Sequence, residues 1–259
     1  MSINFNPPKK DRAFYRFCTH ILPAIDIKQQ IAPNERGRVL LCNHAREFAP
    51  LAFIKGYKRP FKMWATANLC ERSRVPNHIM YSFFPNAGAV GRLLLRPLSY
   101  AVAPIFPAIM ARLDVIPTYQ NRKAMQTFGQ TVDALLAGYD IVIFPENEVE
   151  SRYPEVNCLN GGFLRLAEMY YDECGLPLQY VPCYACKALK TVVVGGAISF
   201  DHSKPIRKQF VPTKENVMAE IAQLARSLPE HKLAPFGDKV RDPERIKKYE
   251  SKDKYSLRE

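Results

Sequence analysis

Residues 141–144, Ile-Val-Ile-Phe, form an unbroken apolar run that directly follows an amphipathic segment and a glycine. A strand with apolar side chains pointing both ways must be covered on both faces, so this run calls for a layered α/β architecture. The residues before it agree. Ala124, Met125, Phe128, Val132, Leu135 and Leu136 recur at i, i+3, i+4 spacing, the pattern of a helix with one buried face. Asn121 is placed to cap the start of that helix, and Gly138 to end it in a left-handed conformation. Helix, glycine, buried strand and then Pro145-Glu146 make an α/β unit. It brings a carboxylate to the carboxyl end of a strand, the edge at which sites form in open α/β sheets.

The rest of the chain fits the same plan. Val39-Leu40-Leu41-Cys42 reads as a second buried strand and delivers Asn43-His44 to its end. Residues 61–64 look like a third strand. Residues 161–173 read as a helix with Phe163, Leu166, Ala167 and Tyr170 inward. Residues 178–183 and 191–194 read as strands, with Gly195-Gly196 as a turn or bulge between strand pieces. Thr213 is placed to cap a last helix carrying Val217, Ile221, Leu224 and Leu228 on one face. The expectation is a single α/β domain over residues 31–236, with a mixed sheet flanked by helices and no internal repeat. Residues 1–30 stand apart: Phe14, Phe17, Cys18, Ile21 and Leu22 lie at roughly helical spacing beside Arg12, Arg16 and His20. That reads either as an interfacial helix or as one packed on the domain. Residues 237–259 are charged and nearly devoid of apolar side chains, a solvated tail.

Charge narrows the partners. The 259-residue chain has a formal net charge of +12 with 47% hydrophobic residues, which favours an anionic partner for an ordinary globular protein. Candidates are a phospholipid surface, a phosphorylated substrate, an acidic carrier protein or nucleic acid. Lysine and arginine are spread along the chain and form no nucleic-acid motif, so nucleic acid is set aside. The seven cysteines suit reduced thiols in the cytoplasm, with Cys183 and Cys186 read as unpaired strand or turn residues. From the polar start no signal peptide is expected. Residues 93–110, LLLRPLSYAVAPIFPAIM, come nearest to a membrane segment, but Arg96, Pro97, Pro104 and Pro107 interrupt them, so no simple span is expected. Two readings stand: a kinked helix pair in a membrane interface, or a helix pair buried in the core.

Four features follow one another in order: Asn43-His44, Arg122 after Asp114-Val115-Ile116-Pro117, Phe144-Pro145-Glu146, and Val181-Pro182. This order resembles the glycerol-phosphate and lysophospholipid acyltransferases, whose motifs are Asn-His-x4-Asp-Pro, a segment with an arginine, Phe-Pro-Glu, and a Val-Pro after a strand. Residues 194–200, Val-Gly-Gly-Ala-Ile-Ser-Phe, look like that family's later strand pair. The resemblance covers about residues 37–230. It is closer still to a Gram-positive subgroup, through Ala49-Pro50, Phe144-Pro145-Glu146-Asn147 and Ser227-Leu228-Pro229-Glu230-His231.

The resemblance implies an acyltransferase-like mixed sheet and His44 as the base that takes the proton of an attacking hydroxyl, a task imidazole suits. It also implies an acyl-CoA or acyl-carrier-protein donor as co-substrate, with no metal or organic cofactor. A lysophospholipid, glycerol phosphate or related lipid alcohol is the implied acceptor, at the inner face of the cell membrane. Arg122, beside Lys123, is then expected to grip the acceptor phosphate, with Asn43 and Glu146 completing the substrate site. The family aspartate that orients the imidazole is replaced by Ala49. Glu47, one helical turn from His44, is its expected substitute, with Glu146 and Glu148 as alternatives. A relative that binds lipid without turnover is the alternative function.

Overall fold

The computed structural model describes residues 20, 24–29, 37–82, 84, 88–119, 122–147 and 149–234. Most of the 1–30 segment, Asn121, Glu148 and the 237–259 tail lie outside the described residues.

One sheet of eight strands organises the described chain: β1 (Asp26–Gln29), β2 (Val39–Cys42), β3 (Phe61–Thr66), β4 (Ile116–Thr118), β5 (Asp140–Ile143), β6 (Gln179–Cys186), β7 (Thr191–Val194) and β8 (Ile198–Ser199). The spatial order is β1-β7-β6-β2-β5-β3-β4, with β8 pairing the start of β6. From β6 to β4 the strands are parallel, whereas β7 and β8 run antiparallel to β6. Gly195-Gly196 separates β7 from β8, as the sequence predicts. The mixed α/β sheet flanked by helices is thus observed.

The two faces of the central strands explain the apolar runs. Val39, Leu41, Ile141 and Ile143 point to one face, where they meet α6 (Ala124–Leu136), α7 (Arg165–Cys174, after a 3-10 turn at Gly161–Leu164) and α8 (Phe210–Arg226). Leu40, Cys42, Val142, Val181 and Cys183 point to the other, where α1 (Phe48–Gly56) supplies Phe48, Ala52 and Phe53. Phe53 is fully buried; sinking a side chain of that size contributes about 1.5–3 kcal/mol. Hydroxyls pin α6 across the sheet: Trp64 Nε1 donates to Thr131 Oγ1 at 2.9 Å, and Thr127 Oγ1 donates to the Pro117 carbonyl at 2.7 Å.

Gly138, at φ 84°, ends α6 in the expected left-handed turn. Gly37 permits a close backbone approach, since a Cβ there would lie 2.2 Å from the Tyr139 carbonyl oxygen. Other boundaries moved. The last helix begins at Phe210 after a 3-10 turn, so Thr213 sits inside its first turns and is no cap; Pro212 fits there because first-turn N–H groups lack helical partners anyway. Cys183 and Cys186 lie in opposite cores, which bears out their reading as unpaired strand residues.

Four helices join the carboxyl end of β3 to β4: α2 (Ala67–Cys70), α3 (Val75–Ser82), α4 (Ala89–Val102) and α5 (Ile105–Arg112). Here one of the two readings is corrected. The segment is not a buried core pair: of Leu93–Arg112 only 11% is buried. By length and composition alone it is long and apolar enough to cross a membrane, yet it is interrupted at Ala103-Pro104, so the expected kinked helix pair is what is observed. Pro97 is accommodated inside α4, and Pro104 and Pro107 fall at the start of α5, where a proline removes no helical hydrogen bond.

Candidate active site

The position of the site follows from the topology. After β2 the chain crosses to the α1 face, whereas after β5 it leaves toward the α7 face. Adjacent parallel strands whose connections diverge in this way open a crevice at their carboxyl ends. The crevice is deepened because β2 and β5 stop early. β6 runs on from Cys183, the partner of Cys42, to Cys186, and β3 continues past Met63, the partner of Val142, to Thr66. His44 and Glu146 meet in this notch.

Asn43 anchors the end of β2. Its side-chain amide mimics a strand residue, accepting from Ala185 N at 2.6 Å and donating to the Ala185 carbonyl at 3.1 Å. Both ends of the amide are thus engaged by β6, and Asn43 is buried. The chain then turns sharply through Ala45 (φ 43°) and Arg46 (φ 58°) before α1 begins. Two successive non-glycine residues in the left-handed region cost on the order of 1–3 kcal/mol each, strain of the sort found at functional sites. The turn swings the Arg46 backbone carbonyl onto His44 Nδ1. A carbonyl only accepts, so the proton sits on Nδ1 and the lone pair on Nε2.

His44 is half-buried against the Phe144 ring, 5.2 Å between centroids, and Phe144 leans in turn on Phe53. Burial lowers the imidazole pKa, opposed by the hydrogen bond to Arg46 and by the Glu47 charge. Low basicity keeps the ring neutral near neutral pH, the state a general base requires.

Glu146 lies beneath His44. Its Oε2 accepts from the His44 backbone N–H at 2.6 Å and its Oε1 from the Asn157 N–H at 2.9 Å. Burial raises its pKa to about 7, against two amide donors that favour the ionised form. The loop after β5 closes on itself through Asn147, which donates from its backbone to the Cys158 carbonyl at 2.9 Å and accepts from Val149 N at 2.8 Å. Asn157 Nδ2 donates to the Asn147 carbonyl at 3.0 Å. Asn147 thus serves the loop's own architecture.

The remaining expected residues lie further out. The carboxylate of Glu47 is exposed and ion-paired with Lys187 at 2.8 Å, so the position on Nδ1 that sequence assigned to it is held by the Arg46 backbone. Arg122 is exposed in the turn before α6, beyond β4. It is on the same sheet edge as His44 but three strands across, roughly 14 Å at ordinary strand spacing. His231 of the Ser227–His231 motif faces elsewhere, with Nε2 2.9 Å from the Tyr184 hydroxyl. Among the described residues no cluster of three or more His, Cys, Asp or Glu side chains is arranged to hold a metal. Sequence reasoning missed the Arg46 carbonyl, Asn157 and Lys187. No motif marks them, and only the fold brings them together.

No family model matches the chain, and no curated protein matches it. Among solved structures it is similar to the crystal structure of the 1-acyl-sn-glycerophosphate (LPA) acyltransferase PlsC from Thermotoga maritima. The TM-score is 0.40 and the identity 11%, over 85% of this chain and 89% of that one.

Proposed function

We propose that this chain is an O-acyltransferase that moves a fatty acyl group from a thioester to a lipid alcohol, with His44 as general base. The observation that carries the reading is the His44 ring fixed through Nδ1 by the Arg46 carbonyl at the switch-point crevice. The order of the Asn43-His44, Arg122, Phe144-Pro145-Glu146 and Val181-Pro182 motifs supports it.

In this reading Nε2 takes the proton of the acceptor hydroxyl as its oxygen attacks the thioester carbonyl. The C–S bond then breaks, and the imidazolium returns its proton to the departing thiolate, so the base is regenerated. Phe144 and Phe53 form an apolar wall that limits water beside the ring. Asn43 and Glu146 act as positioning residues. One ties the end of β2 to β6; the other holds the His44 amide. Arg122 binds the acceptor phosphate at the far side of the same edge, and Glu47 contributes its charge across the turn. The donor is acyl-CoA or an acyl-carrier protein, whose acidic surface suits the +12 chain. No cofactor enters the reaction. The acceptor is a lysophospholipid, a glycerol phosphate or a related lipid alcohol, met at the inner face of the cell membrane.

An orienting carboxylate normally does two things: it sets the tautomer and it stabilises the imidazolium. The Arg46 carbonyl does the first fully and the second only in part, so turnover is expected to be slow. The test is transfer from a radiolabelled acyl thioester by the purified protein. His44→Ala should lower the rate by about 10²–10⁴-fold, with little change in melting temperature. Equal transfer by the variant would defeat the mechanism. Acyl ligand bound without transfer by the wild type would favour a non-catalytic binder.

A further inference from the structure

Among the described residues, the helices between β3 and β4 carry a group of exposed apolar side chains. On α4, Leu93, Leu94, Leu98 and Tyr100 are 74, 72, 57 and 55% exposed, and on α5 Ile105 is 53% exposed. The opposite side of the segment is anchored: Ala103 packs with Val75 and Ile79 of α3, and Val102 and Phe106 lie against them. Ile109 and Met110 reach the main core. Scattered exposed apolar residues are normal in soluble proteins, but a contiguous group of leucines marks an interaction surface.

Charge identifies what covers it. Residues 72–113 contain no aspartate or glutamate, and their charged residues are Arg72, Arg74, Arg92, Arg96 and Arg112. Glu71 pairs with Arg74 at 2.6 Å, so these two charges cancel, and Asp114 pairs with Lys62, outside the stretch, at 2.9 Å. Exposed leucines interleaved with arginines and free of acids match an anionic bilayer surface. A protein partner would leave the uniform positive charge without a comparable explanation.

The topology gives the orientation. α2 starts at the carboxyl end of β3, and the helices return the chain to β4, whose Ile116 pairs with Trp64. The apolar surface therefore stands on the edge of the sheet that carries His44. α4 and α5 are also both attached to the folded domain, at α3 and at the main core. Ends held on one side suit a segment lying in the interface plane better than one that crosses it.

We propose that α4 and α5 form a wedge that sinks Leu93, Leu94, Leu98 and Ile105 into an anionic bilayer and so holds the His44 crevice against the membrane surface. The inference rests on the acyltransferase reading for its purpose, though its test does not depend on turnover. Wild-type protein is co-sedimented with vesicles of phosphatidylcholine alone, or of phosphatidylcholine and phosphatidylglycerol in equal parts. Binding is expected to the mixed vesicles and to fall at least about tenfold for each of Leu94→Asp and Leu98→Asp. Transfer to a short-chain acceptor in free solution should be unchanged by either. As a measurement independent of charge substitution, Tyr100→Trp should gain fluorescence quenched by bromine-labelled acyl chains. The proposal is overturned if the wild type ignores the mixed vesicles, if the aspartate variants bind like the wild type, or if the same leucines drive dimer formation without lipid. Vesicle binding with no transfer to any acceptor would sink the acyltransferase reading alone; transfer in solution with no vesicle binding would sink the wedge alone.

Discussion

Strand β5 has a buried carboxylate at each end, and the two are held in opposite ways. At its start Asp140 is fully buried and surrounded by donors: Arg38 N at 2.9 Å, Arg59 Nε at 2.8 Å and the Tyr57 hydroxyl at 2.5 Å, with Arg38 Nη2 at 3.5 Å. Past its end, Glu146 receives two neutral amides among the described residues. Two guanidinium groups compensate the buried charge of Asp140, and the network holds the strand starts together. Among the described residues no cation offsets the desolvation of Glu146, so it titrates near neutral pH. One end of the strand is tied into a network of charged donors; the other lies beside His44.

The comparison is broken most directly at Asp140. Asp140→Ala leaves Arg38 buried and uncompensated and should cost about 3–5 kcal/mol in denaturant unfolding. The Glu146 end should instead respond to pH. Its folded pKa of about 7 stands above the ordinary glutamate value of 4.5. Its contribution to stability is therefore complete below pH ~4.5 and is lost as pH rises through ~7, by about 3 kcal/mol. The lowered pKa of His44 acts with the opposite sign, favouring the fold as pH rises, so the Glu146 contribution is read as wild type minus Glu146→Gln. That difference should drift against the wild type across the window; a flat difference would mean that Glu146 does not titrate there.

At the acid end of the same series, Glu146→Gln should be about 1–3 kcal/mol less stable than wild type, because its NH2 must face one of the two amide donors. It should also lower kcat by loosening the His44 backbone. Least affected is the exposed pair: Glu47→Gln should change stability by under about 1 kcal/mol. If it instead abolished transfer, Glu47 would regain the orienting role that the Arg46 carbonyl now holds.

The central fold was legible because strands covered on both faces leave continuous apolar runs, as 39–42 and 141–144 do. The edge strands were not. β1 is the polar Asp-Ile-Lys-Gln and β4 only Ile-Pro-Thr, so neither has a periodicity to detect. At the site, His44 and Glu146 were visible as residues at strand ends, and their contact could be anticipated only loosely. Sequence spacing suggested Glu47 as the partner of the ring, since i+3 places two side chains together on a helix. The left-handed turn at Ala45 and Arg46 breaks that helix and replaces the side chain by a carbonyl. Backbone conformation of ordinary residues at positive φ has no compositional signature.

That carbonyl has a consequence for how the protein tolerates change. A carboxylate that sets a histidine tautomer is lost by one codon substitution, whereas every residue type at position 46 supplies the same oxygen. Alanine scanning would pass over the group entirely, and random variation would erode it only by altering the turn. Arg46→Pro, which forces φ to about −65°, is the substitution that should unseat the ring; Arg46→Gly should leave it in place and relieve the strain.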